Sequence, residues 1–100
     1  MPLDFEWDTS KGVVNLKKHR VGFEEASTVF DDPLAAIFSD EDHSIAEARE
    51  IIIGHSILGR LVLAYFTERS AGVIRIFSAR LATKRERHDY EDYFGQHPPA

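Results

Sequence analysis

The sequence predicts one α+β domain with a mostly antiparallel sheet. Two observations carry this. Three runs rich in branched and aromatic residues, "REIIIGHSI", "RLVLAYFTE" and "GVIRIFSARL", follow one another with glycine-bearing turns between them. Such runs read as consecutive hairpins. Helical patterns with start signals lie before and after these runs, which separates helices from strands along the chain. The 100 residues, 43% apolar and 29% charged, suit one globular unit.

The elements follow in order. "LDFEW" alternates Leu3, Phe5 and Trp7 with Asp4 and Glu6, the pattern of a half-buried strand. Asp8 is placed to cap a helix from about Thr9 to His19. Its apolar content is thin. Lys11, Asn15 and Lys18 share one face, with His19 beside them. A second helix fits about Phe23 to Phe30, with Phe23, Ala26, Val29 and Phe30 inward. "DDP" ends it, since a residue before proline avoids helical angles. "LAAIF" is then a strand and "SDEDHS" a polar loop. The three hairpin strands come next. Both their faces are largely apolar, so the sheet must be covered. "TKRE" is a capping box that opens a last helix, ending near Phe94 and Gly95. The expected architecture is a four-stranded meander after the N-terminal strand and two helices, with the helices on one side. The domain covers residues 1–95, and residues 96–100 form a flexible tail.

Composition removes several classes. There is no cysteine, so no disulfide framework or thiolate metal site. "MPLDFEWD" is acidic where a signal peptide is basic, and no apolar run reaches the ~20 residues of a membrane span. A cytoplasmic location with no membrane contact is expected. Net charge is −5, which argues against unselective nucleic-acid binding. Yet residues 24–50 hold nine acids against one base, Arg49, while residues 69–88 hold six bases against one acid, Glu86. One surface can therefore still meet phosphate.

Most motifs are weak alone. "DEDH" at Asp40 to His43 has ligand types but no second cluster, so a solvated acidic loop is the better reading. "GHSILG" lacks the lysine of a phosphate loop, and "GHS" is not a nucleophile elbow. His55 reads as a packed histidine, and one of Tyr90 and Tyr93 as a seal between the last helix and the sheet. Lys17, Lys18 and His19 can simply complement a helix dipole, for ~0.3–1 kcal/mol each. The unusual residues are Arg75 and Arg80, charges inside apolar strands. Each needs a carboxylate or a phosphate. An ion pair with Glu68 or Glu86 is the structural reading, and an anion site the functional one. Strict alternation would place the two arginines on opposite faces, unless the strand carries a bulge.

Four blocks in order change the weight of these features. They are "FEWD..K...NL.KH.V.FEEA..VFDDP" from Phe5 to Pro33, "D.DHS..E.R...IG" from Asp40 to Gly54, "FTER" from Phe66 to Arg69, and "IRI.SAR.AT..ER..YE" from Ile74 to Glu91. Together they resemble the BrnT family of type II toxin–antitoxin toxins, small ribonucleases with a RelE-like fold. Arg20 and Gly22 depart from that pattern, which has glycine after "KH" and serine or threonine before "FEEA". "EAR" at Glu47 to Arg49 replaces "EER". A left-handed turn kept at Arg20 would cost ~1 kcal/mol. Alternatively Gly22 becomes the flexible residue.

The resemblance implies metal-independent cleavage of RNA, with no cofactor. That chemistry needs a base for the 2′-hydroxyl, an acid for the leaving 5′-oxygen, and cations for the phosphorane. Arg80 and Arg75 are the candidates for phosphate stabilisation, Arg80 first. His19 or Glu68 would move the proton, and Tyr90 would stack a base or donate a proton. Lys11, Lys18 and Arg69 would bind RNA. The resemblance also implies a BrnA-type ribbon-helix-helix antitoxin, a heterotetramer with it, and DNA contact only through it. The alternative is a catalytically silent module that keeps the fold and binds the antitoxin. A DNA-binding repressor is disfavoured, because "TKRERHDYEDYF" is basic only in its first turn.

Overall fold

The structure, a computed structural model, describes residues 2–40 and 48–96. Strand β1 (Asp4–Glu6) leads into helix α1 (Thr9–His19) and helix α2 (Phe23–Thr28), which ends in a 3₁₀ turn at Val29–Asp31. Strands β2 (Ala36–Ser39), β3 (Glu50–His55), β4 (Leu61–Ser70) and β5 (Val73–Leu81) follow, and helix α3 (Lys84–Gln96) closes the order. No helix among the described residues is long and apolar enough to cross a membrane.

The strands form one sheet in the order β1-β5-β4-β3-β2. The meander is antiparallel, and β1 joins it as a fifth strand, parallel to β5. The expectation of helices on one side is corrected. α2 buries Phe23 and Ala26 against Ile52, Val62, Ala64 and Ile76 on one face. α3 buries Tyr90 against Ile53, Leu61 and Leu63 on the other. Strands apolar on both faces need a cover on each side, and the capped last helix supplies the second.

α1 starts where the sequence places it. The Asp8 carboxylate accepts from the Lys11 N–H at 3.0 Å. Its end keeps the left-handed geometry despite the missing glycine: Arg20 has φ 62° and ψ 24°. Gly22 is extended, at φ −83°, and opens α2 without a side-chain cap. So Arg20 carries the strain, about 1 kcal/mol for a residue with a Cβ.

Gly54 is needed for a different reason. A Cβ there would lie 2.9 Å from the Ala35 Cβ and 3.0 Å from Asp32 Oδ2. This close approach lets the "DDP" turn dock on β3. Asp32 then accepts from the N–H groups of His55 at 2.7 Å and Leu34 at 2.9 Å. Nearby, Arg60 Nε donates to Glu25 Oε2 at 3.0 Å, and Arg60 also donates to the Arg20 carbonyl at 2.9 Å. Ser56 Oγ donates to the same carboxylate at 2.6 Å. The α1–α2 turn is thus tied to the β3–β4 hairpin. Hydrogen bonding from Arg60 holds the Glu25 carboxyl below its ordinary range.

β5 carries a bulge. Tyr65 pairs with Ser78, but Phe66 pairs with Ile76, so Phe77 is the extra residue. The bulge resets the alternation. Arg75 stands opposite Thr67 and Arg80 opposite Leu63. Thr67 and Leu63 lie an even number of residues apart on β4, hence on one face. Arg75 and Arg80 therefore share the α3 face, which corrects the unbulged expectation.

Candidate functional site

β1 is too short to cover β5. Its pairing ends at Glu6 with Arg75, and among the described residues no strand lies beside the rest of the β5 edge. α1 lies along that edge, held by a side chain. Asn15 Nδ2 donates to the carbonyls of Ala79 at 2.8 Å and Val21 at 2.9 Å. Its Oδ1 accepts from the Ala79 N–H at 3.2 Å and from Ser78 Oγ at 3.4 Å. A carboxamide offers the donor and acceptor of a peptide unit, so Asn15 stands in for the missing strand. It is the buried residue of α1, at 7% exposure, while Val13, Val14 and Leu16 are exposed. The helix is clamped to the sheet more by polarity than by an apolar stripe.

This clamp sets the phase of α1. Lys11 and His19 are one turn to either side of Asn15, and Lys18 is beside His19. Lys11 and His19 border a groove of about 510 Å³ together with Arg49, Tyr65, Phe77 and Arg80. Asp40 and Ser78 complete its lining. An adjoining groove shares Lys11, His19 and Phe77 and adds Lys18. Cations from α1, the residue before β3 and the end of β5 thus meet over the open edge.

Arg80 is fixed by a two-pronged pair. Nη1 and Nη2 donate to the two oxygens of Glu86 at 2.7 and 2.8 Å, and Nη2 also reaches the Tyr65 hydroxyl at 3.3 Å. Glu86 belongs to the expected capping box: it accepts from the Thr83 N–H at 2.9 Å, and its own N–H donates to Thr83 Oγ1 at 3.1 Å. The Arg80 hydrogen bonds, against some desolvation, bring the Glu86 carboxyl down to about 2. The same bonds push the Arg80 guanidinium up. Both side chains stay about 30% exposed, so the guanidinium is held firmly yet still faces the groove.

Of the residues proposed from sequence, Lys11, His19 and Arg80 come together, with Lys18 in the adjoining groove. The others do not join them. Glu68 accepts from the Gly72 N–H at 3.1 Å in the β4–β5 turn. Arg69 pairs with Glu6 at 3.3 Å across the far end of the sheet. Arg75 shares Arg80's face but stands where β1 pairs, outside both grooves. Tyr90 is buried, donates to the Leu34 carbonyl at 3.3 Å and meets the half-exposed His55 ring edge-on. Burial pushes its phenol up. Tyr90 is the tyrosine that seals α3, and it borders an apolar groove beside β2 with Ile37, Phe38 and Tyr93.

Sequence reasoning missed Arg49, Tyr65, Phe77 and the role of Asn15. Arg49 lays its guanidinium 4.2 Å from the centre of the Phe77 ring. The signal for Arg49 was its solitude among nine acids. Of the "DEDH" motif, only Asp40 lies within the described residues. Among those residues no three His, Asp or Glu side chains group as metal ligands.

Comparisons with known proteins bear on the family and the fold. The model of the family described as "Ribonuclease toxin, BrnT, of type II toxin-antitoxin system" matches residues 7–86. No curated protein sequence matches. The chain is similar in fold to the Brucella abortus ribonuclease toxin BrnT, known from a 1.1 Å crystal structure, with a TM-score of 0.63 and 20% identity. That similarity spans 82% of this chain and 99% of the other. The matched segment runs from Trp7, through α1 and the sheet, to Glu86 beside Arg80, and by it the chain belongs to the BrnT family of ribonuclease toxins of type II toxin–antitoxin systems.

Proposed function

We propose that this chain is a metal-independent endoribonuclease that cuts RNA at the β5-edge groove. One observation carries the reading: Lys11 and His19 of α1 border one groove with Arg80, which is far from them in sequence. His19 takes the proton of a 2′-hydroxyl, and the freed oxygen attacks the adjacent phosphorus. Arg80 and Lys11 neutralise the phosphorane oxygens, and Arg80's planar fork suits them. The P–O5′ bond breaks, and the leaving oxygen takes a proton from the Tyr65 phenol, which already touches Arg80. The products are a 2′,3′-cyclic phosphate and a 5′-hydroxyl.

The partner is a BrnA-type ribbon-helix-helix antitoxin, in an assembly with two copies of each chain, through which alone DNA is bound. The family description as a toxin–antitoxin system supports a partner. So does β2, which lies at a sheet edge with Ile37 and Phe38 about half exposed. The place of action is the cytoplasm, where RNA and antitoxin meet. A silent module that only binds the antitoxin is the competing reading, favoured by the carboxylate that already occupies Arg80.

Expression of the wild type, His19→Ala and Arg80→Ala separates the two. Active cleavage gives growth arrest and fragments ending in cyclic phosphate, which both substitutions relieve. Normal growth with intact RNA, at confirmed soluble expression of the wild type, leaves the silent module standing.

A further inference from the structure

We propose that Phe77 is a nucleobase platform: a base of single-stranded RNA stacks on its ring, opposite the Arg49 guanidinium. The proposal rests on the reading of the groove as an RNA site and adds where a base is held.

The ring is set apart from the four phenylalanines of the core. Phe5, Phe23, Phe30 and Phe66 pack into the core under α2. Phe77 belongs to neither core cluster and is only half buried. It is the bulge residue, so no β4 residue stands opposite it in the ladder. A bulge re-aims a side chain that regular alternation would bury. Here the ring is aimed between two grooves, both lined by Lys11 and His19.

The surroundings differ on the two sides. Arg49 lines the groove that holds Arg80, and Lys18 lines the other. With Arg49 4.2 Å from the ring centre, one π-face is taken. The groove with Lys11 and Lys18 is left for a flat apolar ring with a charged backbone beside it. An aromatic face among cations is how single-stranded nucleic acid is held without base-edge readout. The guanidinium behind the ring strengthens this, because it fixes the ring plane. Discrimination should then follow stacking strength, purines above pyrimidines, at the nucleotide next to the cut.

The test uses a short RNA methylated at every 2′-oxygen, which lacks the nucleophile and stays intact. Affinity is measured for wild type, Phe77→Leu and Phe77→Trp, with one abasic position walked along the strand. Stacking worth ~1–3 kcal/mol corresponds to roughly 5- to 150-fold in affinity. Phe77→Leu, which keeps apolar bulk, should lose affinity in that range, and Phe77→Trp should keep it. One abasic position should weaken the wild type equally and leave Phe77→Leu unchanged. Phe77→Leu binding like wild type overturns the platform, as does an abasic penalty equal in both proteins. If the wild type cleaves unmodified RNA while either holds, only the platform fails. Wild type that neither binds nor cleaves RNA removes the groove reading with it.

Discussion

Arg60 with Glu25 and Arg80 with Glu86 are the same chemical pair in two settings. In both the guanidinium donates to the two oxygens of the carboxylate, and in both the carboxyl is held below its ordinary range. Around Arg60 the remaining partners are Ser56 and the Arg20 carbonyl, which join the α1–α2 turn to a hairpin. Around Arg80 stand Tyr65, Lys11, His19 and Arg49, over an open strand edge. The pair itself says nothing about function. Its neighbours differ: Arg80 shares an open groove with Lys11 and Arg49, the setting an anion site needs, while Arg60 also holds a backbone carbonyl and ties two turns together.

The largest expected effect would test that difference directly. Arg80→Ala should lower the cleavage rate by ~10²–10³-fold, the usual loss for one charge-stabilising donor. Arg60→Ala should lower the melting temperature and leave kcat within a few-fold, once both are measured well below melting. Equal loss of kcat in the two would erase the distinction. Asn15→Ala comes next. It strips Ala79's N–H and C=O and the Val21 carbonyl of their partner, for ~1–3 kcal/mol, and frees α1 from the β5 edge. Denaturant midpoints should fall, and amide exchange at Ala79 should rise before that at Ile52.

Acid should act on both pairs with the same sign. Glu86 has an ordinary value of 4.5 and a folded value of about 2. A depressed carboxylate stabilises fully above the unfolded value, and this is lost as pH falls from about 4.5 towards 2. Solvent screening of the partly exposed pair limits the loss to ~1 kcal/mol. Glu86→Gln should flatten the decline of the urea midpoint in that window. An unchanged decline would mean the pair adds no linkage. The smallest effect is a gain. Arg20→Gly should relieve about 1 kcal/mol of left-handed strain, visible as a higher melting temperature with unchanged kcat.

Local signals were legible in the sequence. Asp8 and the pattern after it gave α1, and "TKRE" gave the start of α3 with its reciprocal bonds. That Arg80 needs a carboxylate followed from the cost of an unpaired charge, with Glu68 and Glu86 both open, and Glu86 is the one it meets. What stayed hidden depends on register. The bulge at Phe77 has no glycine or proline to mark it, so Arg75 and Arg80 could not be put on one face. Tyr65 reaches the groove from β4 and Arg49 from just before β3, and strand pairing is not written in either segment. Asn15 read as part of a polar helix face, because a side chain replacing a strand looks the same in sequence as one facing water. Tyr90, Glu68 and Arg69 were drawn to the site by motif, while packing and turn bonds place them elsewhere.

The brevity of β1 has a consequence for when this molecule becomes dangerous. Asn15 and Ala79 are 64 residues apart, and the groove needs both. Contacts that distant close late, because the loop entropy must be met before they add stability. A chain still emerging during synthesis has its α1 lysines and histidine but neither Phe77 nor Arg80. If the β5-edge groove is the cutting site, it is therefore not assembled until β5 has been made and paired with α1 through Asn15.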